Sequence, residues 1–329
     1  MLTCAVKAVP RAVPCACTLR VTCHLFRGIF LDFTRPLTLT ARLRRETRVL
    51  TLVAQDELTA AMPTKYITVD GTAVHYFHTG RTTLPNVTPD LSKGELLLFV
   101  HAAGSNGNTW HRQLSAFADT HSPLAFDFPG HGRSGGTESL KSIEAYRDCL
   151  GKLIDALRLR LNVLIGRSMG GAIAMAYALA HPERVRALVL VATAARFELP
   201  QAMLDTWKGV MLGRAQQPFS TEAFSSKTDF AVMREAWMEQ VKTDPRVRYF
   251  DLVACNEFDI AARLGEIHVP TLIVAGRDDA FTPPQQSEIL HNGIKGSKLV
   301  VIEDAGHTVP NEKPEEFNAA VRDFLAGLG

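Results

Sequence analysis

Residues 163–171, which read VLIGRSMGG, decide the fold. The apolar run 163–165 predicts a buried strand, and the small apolar residues after Gly170 predict a helix. Ser168 stands between these elements with a glycine two residues away on either side, so strand and helix can pack closely around a strained turn. This succession of strand, tight turn and helix predicts that the Ser168 hydroxyl is exposed at the C-terminal edge of a sheet.

Strands and helices alternate along most of the remaining chain. Residues 66–70 and 73–78 alternate apolar with polar side chains around Gly71, which predicts an antiparallel hairpin. Helical stretches such as 142–159 and 170–180 separate continuously apolar runs, as expected of strands covered on both faces. The six runs are 96–100, 123–126, 163–165, 187–191, 271–275 and 299–302. The pattern predicts an α/β fold with a mostly parallel sheet and helices on both faces.

One interval, residues 197–265, breaks the alternation because it contains no buried strand. Its apolar residues recur at helical spacing instead, as with Met203, Trp207 and Met211. We predict a helical lid at 197–265, here called the cap, inserted after the sixth strand. Its apolar stripes either line an acyl pocket or pack the cap against the rest of the fold, and the pattern alone fits both interpretations.

The composition is that of a soluble globular protein, with 46% hydrophobic and 21% charged residues among 329. No run approaches the roughly 18 apolar residues of a membrane helix, which argues against a membrane-spanning protein. Four of the six cysteines lie in the first 23 residues, leaving Cys149 and Cys255 for the body. This distribution indicates a reducing compartment and predicts neither a disulfide framework nor a metal site.

Charge is distributed unevenly between the two ends of the chain. Residues 1–61 carry nine basic and four acidic side chains, and the whole chain has a formal net charge of +2, so the remainder carries −3. A slightly acidic body has no electrostatic reason to bind a phosphate backbone, so we predict no nucleic-acid partner.

The first 61 residues show no sustained helical or strand period and contain Pro10, Pro14 and Pro36. We interpret them as an irregular basic extension. Either they form an organellar targeting segment, or translation naturally begins at Met62. Apart from such targeting, we expect a cytoplasmic protein.

From residue 62 to 329 the sequence resembles the α/β-hydrolase superfamily, specifically its small capped serine hydrolases. Residues 99–104, FVHAAG, resemble the loop after the family's third strand, and DFPGHGRS at 127–134 resembles the loop after the fourth. GRDD at 276–279 resembles the acid turn, and DAGH at 304–307 resembles the histidine loop. The resemblance implies an eight-stranded sheet, a core of residues 62–196 and 266–329, and the cap between these two segments.

The resemblance also implies a catalytic triad in the order Ser, Asp, His. Ser168 would be the nucleophile, because a serine attacks a carbonyl only when a base removes its proton. His307 would be that base, held in the correct tautomer by a carboxylate. The family spacing places the acid three residues after the glycine, which selects Asp279 over its neighbour Asp278.

An oxyanion hole of two backbone N–H groups is implied at Ala103 and Met169. Ala102 departs from the family, which usually has glycine directly after the loop histidine. If that position needs a positive φ, alanine would strain the loop and shift the donor at Ala103.

Other charged residues in these motifs are interpreted as structural. His131 is expected to brace its glycine-rich turn, and His101 to hydrogen-bond beneath the oxyanion loop. Arg133, Arg167 and Arg277 could recognise a substrate carboxylate, but as flanking residues of motifs they are expected to be structural or solvent-facing.

The sequence thus predicts a serine hydrolase that cleaves carboxylic ester or lactone bonds through an acyl-enzyme on Ser168, without cofactor or metal. The aromatic and methionine-rich cap favours an apolar pocket and uncharged short to medium acyl esters as small-molecule substrates. Alternatives with the same triad are carbon–carbon bond hydrolysis and cofactor-free perhydrolysis. A binding or receptor protein without turnover is a further alternative, and the oligomeric state is left open.

Overall fold

The computed structural model describes residues 63–81, 84 and 87–329, together with four short strands within the first 61 residues. The chain divides into two compact units, Met1–Ala61 and Met62–Gly329.

In the first unit, the described strands form two antiparallel pairs. Val6–Ala8 pairs with Leu19–Val21, and Leu39–Arg42 pairs with Thr51–Ala54. The other residues of the predicted irregular extension, with the possible targeting segment and the alternative start at Met62, lie outside the described residues.

The second unit is built on an eight-stranded sheet, as predicted. Its strands are β1 (Thr64–Val69), β2 (Thr72–His78), β3 (Leu96–Val100), β4 (Ser122–Phe126), β5 (Asn162–Arg167), β6 (Val185–Val191), β7 (Thr271–Gly276) and β8 (Lys298–Ile302). Their spatial order is β1-β2-β4-β3-β5-β6-β7-β8. Strand β2 runs antiparallel to its neighbours β1 and β4, and the other pairs are parallel.

The strand order reverses at β3, because β3 lies between β4 and β5. In open α/β sheets, the crevice beyond the carboxyl ends of the strands at such a reversal is where ligands bind. In the parallel register, Val100 at the end of β3 lies opposite Gly166 near the end of β5. The loop after β3 and the turn after β5 therefore begin side by side.

Helices cover the sheet as the alternating pattern predicts. They are α1 (His111–Phe117), α2 (Ile143–Ala156), α3 (Met169–Ala180), α4 (Gln201–Met211), α5 (Phe230–Gln240), α6 (Pro245–Glu257), α7 (Pro284–Gly293), α8 (Val309–Glu312) and α9 (Pro314–Ala326). Successive residues of β3 point to opposite faces: Leu98 packs in the core with α2 and α3, whereas Leu97 packs in the core with α1 and α9. Both faces of the sheet are therefore covered. No helix within the described ranges is long and apolar enough to cross a membrane.

Between β6 and β7 the structure has α4, α5 and α6, followed by the 3₁₀ turn Ala261–Glu266. Of the apolar stripe on α4, Trp207 is buried, and Met203 and Met211 are partly exposed. That this segment acts as a lid stays a prediction.

Candidate active site

The turn after β5 holds Ser168 in a strained backbone conformation. Its φ is 54° and its ψ is −121°, a combination that non-glycine residues rarely adopt. The close approach of α3 to β3 maintains the turn, because a Cβ atom on Gly170 would lie only 2.2 Å from the carbonyl oxygen of Val100. Thr193 also donates its hydroxyl to the carbonyl oxygen of Ser168 at 2.7 Å. These contacts keep the serine at the carboxyl edge of the sheet.

His307, in the loop after β8, is bound to Asp279, in the loop after β7. Its Nδ1 lies 2.9 Å from Asp279 Oδ2 and 3.1 Å from Oδ1. Since an ionised carboxylate only accepts hydrogen bonds, Nδ1 carries the proton and Nε2 is left as the basic nitrogen.

Asp279 is nearly inaccessible to solvent and is surrounded by donors. Its Oδ1 accepts the backbone N–H groups of Phe281 at 2.8 Å and Thr282 at 2.9 Å, and its Oδ2 accepts the Thr282 hydroxyl at 2.7 Å. Burial alone would raise the pKa of Asp279, but the charge of His307 and these hydrogen bonds outweigh it and hold the pKa below its usual range. The carboxylate therefore stays ionised beside the imidazole.

Asp278 has a different environment from Asp279. It is exposed, and its Oδ2 accepts the hydroxyl of Ser225 at 2.5 Å. The structure thus places His307 in contact with Asp279, whereas Asp278 contacts Ser225.

The Ser168 hydroxyl makes no hydrogen bond with any described residue, His307 included. In ligand-free enzymes the bond between nucleophile and base is often long and tightens only when substrate binds. Ser168 follows β5 and His307 lies in the loop after β8, so both residues lie at the carboxyl edge of the sheet, with β6 and β7 between their strands.

The two predicted oxyanion donors follow adjacent strands. Ala103 lies in the loop after β3, and Met169 is the first residue of α3. Ala102 is not among the described residues with positive φ, whereas Gly104 has a φ of 58°. Alanine at 102 therefore causes no left-handed strain, and the glycine that the loop requires stands two positions later. The N–H of Gly104 donates to Asp251 Oδ2 at 2.9 Å, which fixes the loop.

His101 is buried beneath this loop. Its Nδ1 lies 2.9 Å from the carbonyl oxygen of Ala102, and its Nε2 accepts the N–H of Phe128 at 3.2 Å. Burial, helped by the nearby charge of His131, lowers the pKa of His101 to about 4. A neutral imidazole that joins the loops after β3 and β4 fits the structural role expected of it.

A buried carboxylate that no motif indicated, Asp251 of α6, joins the cap to these loops. Its Oδ2 accepts His131 Nε2 at 2.7 Å in addition to Gly104, and its Oδ1 accepts the hydroxyls of Tyr146 at 2.5 Å and Ser139 at 2.8 Å. Asp251 stands in no recognisable motif, and its complete burial is what sets it apart from other acidic residues of the cap. The sequence of a helix without a regular apolar stripe does not reveal which of its residues are buried.

The surroundings of His131 and Asp251 favour the charged form of each side chain. Burial disfavours the charged imidazole, but the charge of Asp251 and their hydrogen bond outweigh it and raise the pKa of His131. Burial would likewise raise the pKa of Asp251, and His131 reverses the direction, so that pKa is lowered. His131 thus braces its turn, as expected, and does so against a residue of the cap.

The three motif arginines lie in two environments. Arg133 and Arg277 are exposed, and Arg277 pairs with Glu303 at 3.0 Å, so both face solvent as expected. Arg167 is 6% exposed. Burial lowers its pKa to about 10, against the opposing effect of the charges of Glu312 and Asp279. No group of three or more His, Cys, Asp or Glu residues in the described ranges is arranged to hold a metal ion.

Comparisons with known proteins find a matching family model and similar proteins that are named as hydrolases. A family model described as the alpha/beta hydrolase fold matches residues 95–314. A pimeloyl-[acyl-carrier protein] methyl ester esterase of Neisseria meningitidis is 30% identical over 253 residues, which cover 73% of this chain and 79% of that protein. A putative carbamate hydrolase of Azorhizobium caulinodans is 29% identical and covers 71% of this chain and 92% of that protein. The crystal structure of an enol-lactonase from Burkholderia xenovorans has a TM-score of 0.71 at 24% identity, over 79% of this chain and 99% of that chain, a likeness of fold.

Proposed function

Because this chain belongs to the alpha/beta hydrolase fold family, we propose that it is a serine hydrolase that cleaves carboxylic ester or lactone bonds through an acyl-enzyme on Ser168. The observation that carries the proposal is the hydrogen bond between His307 Nδ1 and the buried, ionised Asp279, at the sheet edge where the strained turn presents Ser168. The relative named as a methyl ester esterase supports an ester bond as the target.

In the first half-reaction, His307 Nε2 takes the proton of the Ser168 hydroxyl as the oxygen attacks the carbonyl carbon. The imidazolium that forms is stabilised by Asp279, which keeps its negative charge throughout. The carbonyl oxygen becomes an oxyanion, and the N–H groups of Ala103 and Met169 would donate to it. His307 then gives its proton to the leaving alcohol, which leaves the acyl group on Ser168.

In the second half-reaction, His307 Nε2 takes a proton from water, whose oxygen attacks the acyl carbon. Collapse of the second oxyanion breaks the bond to Ser168, which recovers its proton from His307, and the acid is released. A lactone follows the same course, except that the leaving alcohol stays attached to the acid. The chain's own groups supply every proton transfer.

The test combines fluorophosphonate labelling with hydrolysis of a chain-length series of p-nitrophenyl esters by the full chain, Ser168→Ala and Ser115→Ala. Ser115 lies exposed on α1 and is the matched control. We expect labelling and turnover in the wild type and Ser115→Ala, no labelling in Ser168→Ala, and a kcat lower by several orders of magnitude there, because triad residues act as a unit.

Turnover retained in Ser168→Ala would refute the mechanism. Labelling without ester turnover would favour carbon–carbon bond hydrolysis or perhydrolysis, and absence of labelling would favour a binding protein.

A further inference from the structure

Arg248 of α6 is a cation placed between the cap and the predicted oxyanion loop. A Cβ atom on Gly104 would lie 2.5 Å from its Cγ and 2.8 Å from its Cδ, so the aliphatic stem lies directly on that loop, next to Ala103. The guanidinium stacks on Trp207 of α4, with Cζ 4.1 Å from the ring centroid. Two cap helices therefore hold this side chain against the loop that contains Ala103, the predicted oxyanion donor.

The guanidinium lacks hydrogen-bond acceptors. Nε and Nη1 of Arg248 are buried and make no hydrogen bond with a described residue, whereas Nη2 is not among the buried atoms that lack a partner. Buried donors are nearly always paired in folded proteins, and an unpaired one is costly. A stacked guanidinium whose donors lack partners is preorganised to receive an acceptor from outside the chain.

Among the described residues, the carboxylate whose charge acts on Arg248 is Asp251, and it already accepts four hydrogen bonds. Each of its oxygens accepts two donors, which are His131 and Gly104 at Oδ2 and Ser139 and Tyr146 at Oδ1. A carboxylate offers about four acceptor positions, so none remains for the guanidinium.

A second buried cation adds to the positive charge. Burial lowers the pKa of Arg248 to about 10, Asp251 opposes that shift, and the positive charge of Arg167 adds to it. Arg167 precedes the predicted nucleophile, and its side chain makes no hydrogen bond with the described residues. An anion beside Arg248 would relieve the repulsion between the two guanidinium groups.

We propose that Arg248 binds a carboxylate of the substrate, so that the substrates are esters or lactones of acids that carry a second carboxylate. This inference rests on the proposed function and narrows it. The planar fork of arginine matches a carboxylate in a paired hydrogen bond, which orients the acyl chain as well as binding it. This substrate class differs from the uncharged esters that the composition of the cap predicts.

The test uses the full chain with two series of methyl esters of equal chain length. Monomethyl succinate, glutarate and adipate carry the second carboxylate, and methyl butanoate, pentanoate and hexanoate lack it. We compare the wild type with Arg248→Gln, Arg248→Lys and Arg246→Gln, following acid release by titration. Arg246 lies on the same helix, is exposed and pairs with Asp244, so it is the matched control.

We expect at least one anionic ester to exceed its neutral counterpart in kcat/KM by tenfold or more in the wild type. Arg248→Gln should lower that kcat/KM, through KM, by about 10- to 100-fold more than it lowers kcat/KM for the neutral ester, whose change reports any effect on the oxyanion loop. Arg248→Lys should retain part of the preference, and Arg246→Gln all of it. No preference in the wild type, or an equal loss for both ester series in Arg248→Gln, would overturn the inference.

Failure of the proposed function has a different signature, namely no hydrolysis of either series. Calorimetric titration with free adipate then decides the inference on its own. Adipate binding that is present in the wild type and Arg246→Gln but lost in Arg248→Gln supports it, and absence of adipate binding to the wild type overturns it.

Discussion

At the scale of single residues, Asp278 and Asp279 have the same side chain in adjacent positions and very different surroundings. Asp279 is buried, meets His307 and accepts three further hydrogen bonds, whereas Asp278 is exposed and bound to Ser225. A buried carboxylate with this set of donors is ionised and fixed in orientation, which are the two properties that the partner of a general base needs.

We therefore expect Asp279→Asn to lower kcat by about 10⁴-fold, because an amide can donate to the imidazole and so favour the wrong tautomer. Asp278→Asn should change kcat by only a few fold, since its contact is with Ser225. Steady-state hydrolysis of a p-nitrophenyl ester measures both effects, with thermal melts to confirm that each variant is folded. If Asp278→Asn were the more damaging change, the acid would be the earlier residue.

The sequence alone was informative about residues in contiguous motifs and silent about the others. Ser168, Asp279 and His307 each stand in a short motif after a strand, and the resemblance of these motifs to those of the α/β-hydrolase superfamily suggested them. Asp251 and Arg248 have no such motif, because their environment is created by loops more than 100 residues away in the chain. The possible strain at Ala102 also depended on a backbone angle that only the three-dimensional structure gives.

At the scale of elements, α6 shows why the cap was harder to predict than the sheet. The strands of the sheet are continuously apolar because both faces are covered, so the sequence reveals them directly. The buried side of α6 combines Val247 and Ala254 with the charged Asp251, which gives a weak apolar period. A helical cap was predicted for the whole interval 197–265, but the attachment of α6 to the rest of the fold through Asp251 was not.

That attachment predicts a pH dependence of stability. The groups around His131 are Asp251 on α6, and His101, Asp127 and Tyr146 on the body. The pKa of His131 is raised in the folded state, so its contribution to the free energy of unfolding is complete below the unfolded-state value of about 6.5 and is lost as pH rises through the folded-state pKa. Asp251, whose pKa is lowered, stays ionised throughout this range.

Between pH 6 and pH 9, we expect the free energy of unfolding to fall more for the wild type than for His131→Gln. The difference should be about 1.4 kcal/mol for each pH unit between the folded-state and unfolded-state pKa of His131. Urea unfolding across this range measures the difference. His268→Gln, which alters an exposed histidine, should follow the wild type. Parallel profiles for the wild type and His131→Gln would show that His131 does not titrate between the folded and unfolded states.

At the scale of the whole molecule, the fold and the candidate site belong to the second unit. The family match, residues 95–314, lies within Met62–Gly329, as do both hydrophobic cores and every predicted site residue. The sequence placed a boundary near residue 62 because the alternating pattern begins there and the charge changes sign. It could not supply a function for residues 1–61, which show no period on which a prediction could rest.

Deletion of residues 1–61 should therefore leave the melting temperature, the kcat and the KM of ester hydrolysis unchanged within error. The physical reason is that a unit that contains its own hydrophobic cores and every predicted site residue needs no further chain to fold. Thermal melts and steady-state kinetics of the full chain and of residues 62–329 provide the comparison. A fall of several degrees in the melting temperature would mean that the basic segment stabilises the acidic body. A fall in kcat/KM at unchanged melting temperature would instead mean that the basic segment contributes to substrate binding. Residues 62–329 alone carry a net charge of −3, which would oppose the binding of an anionic ester.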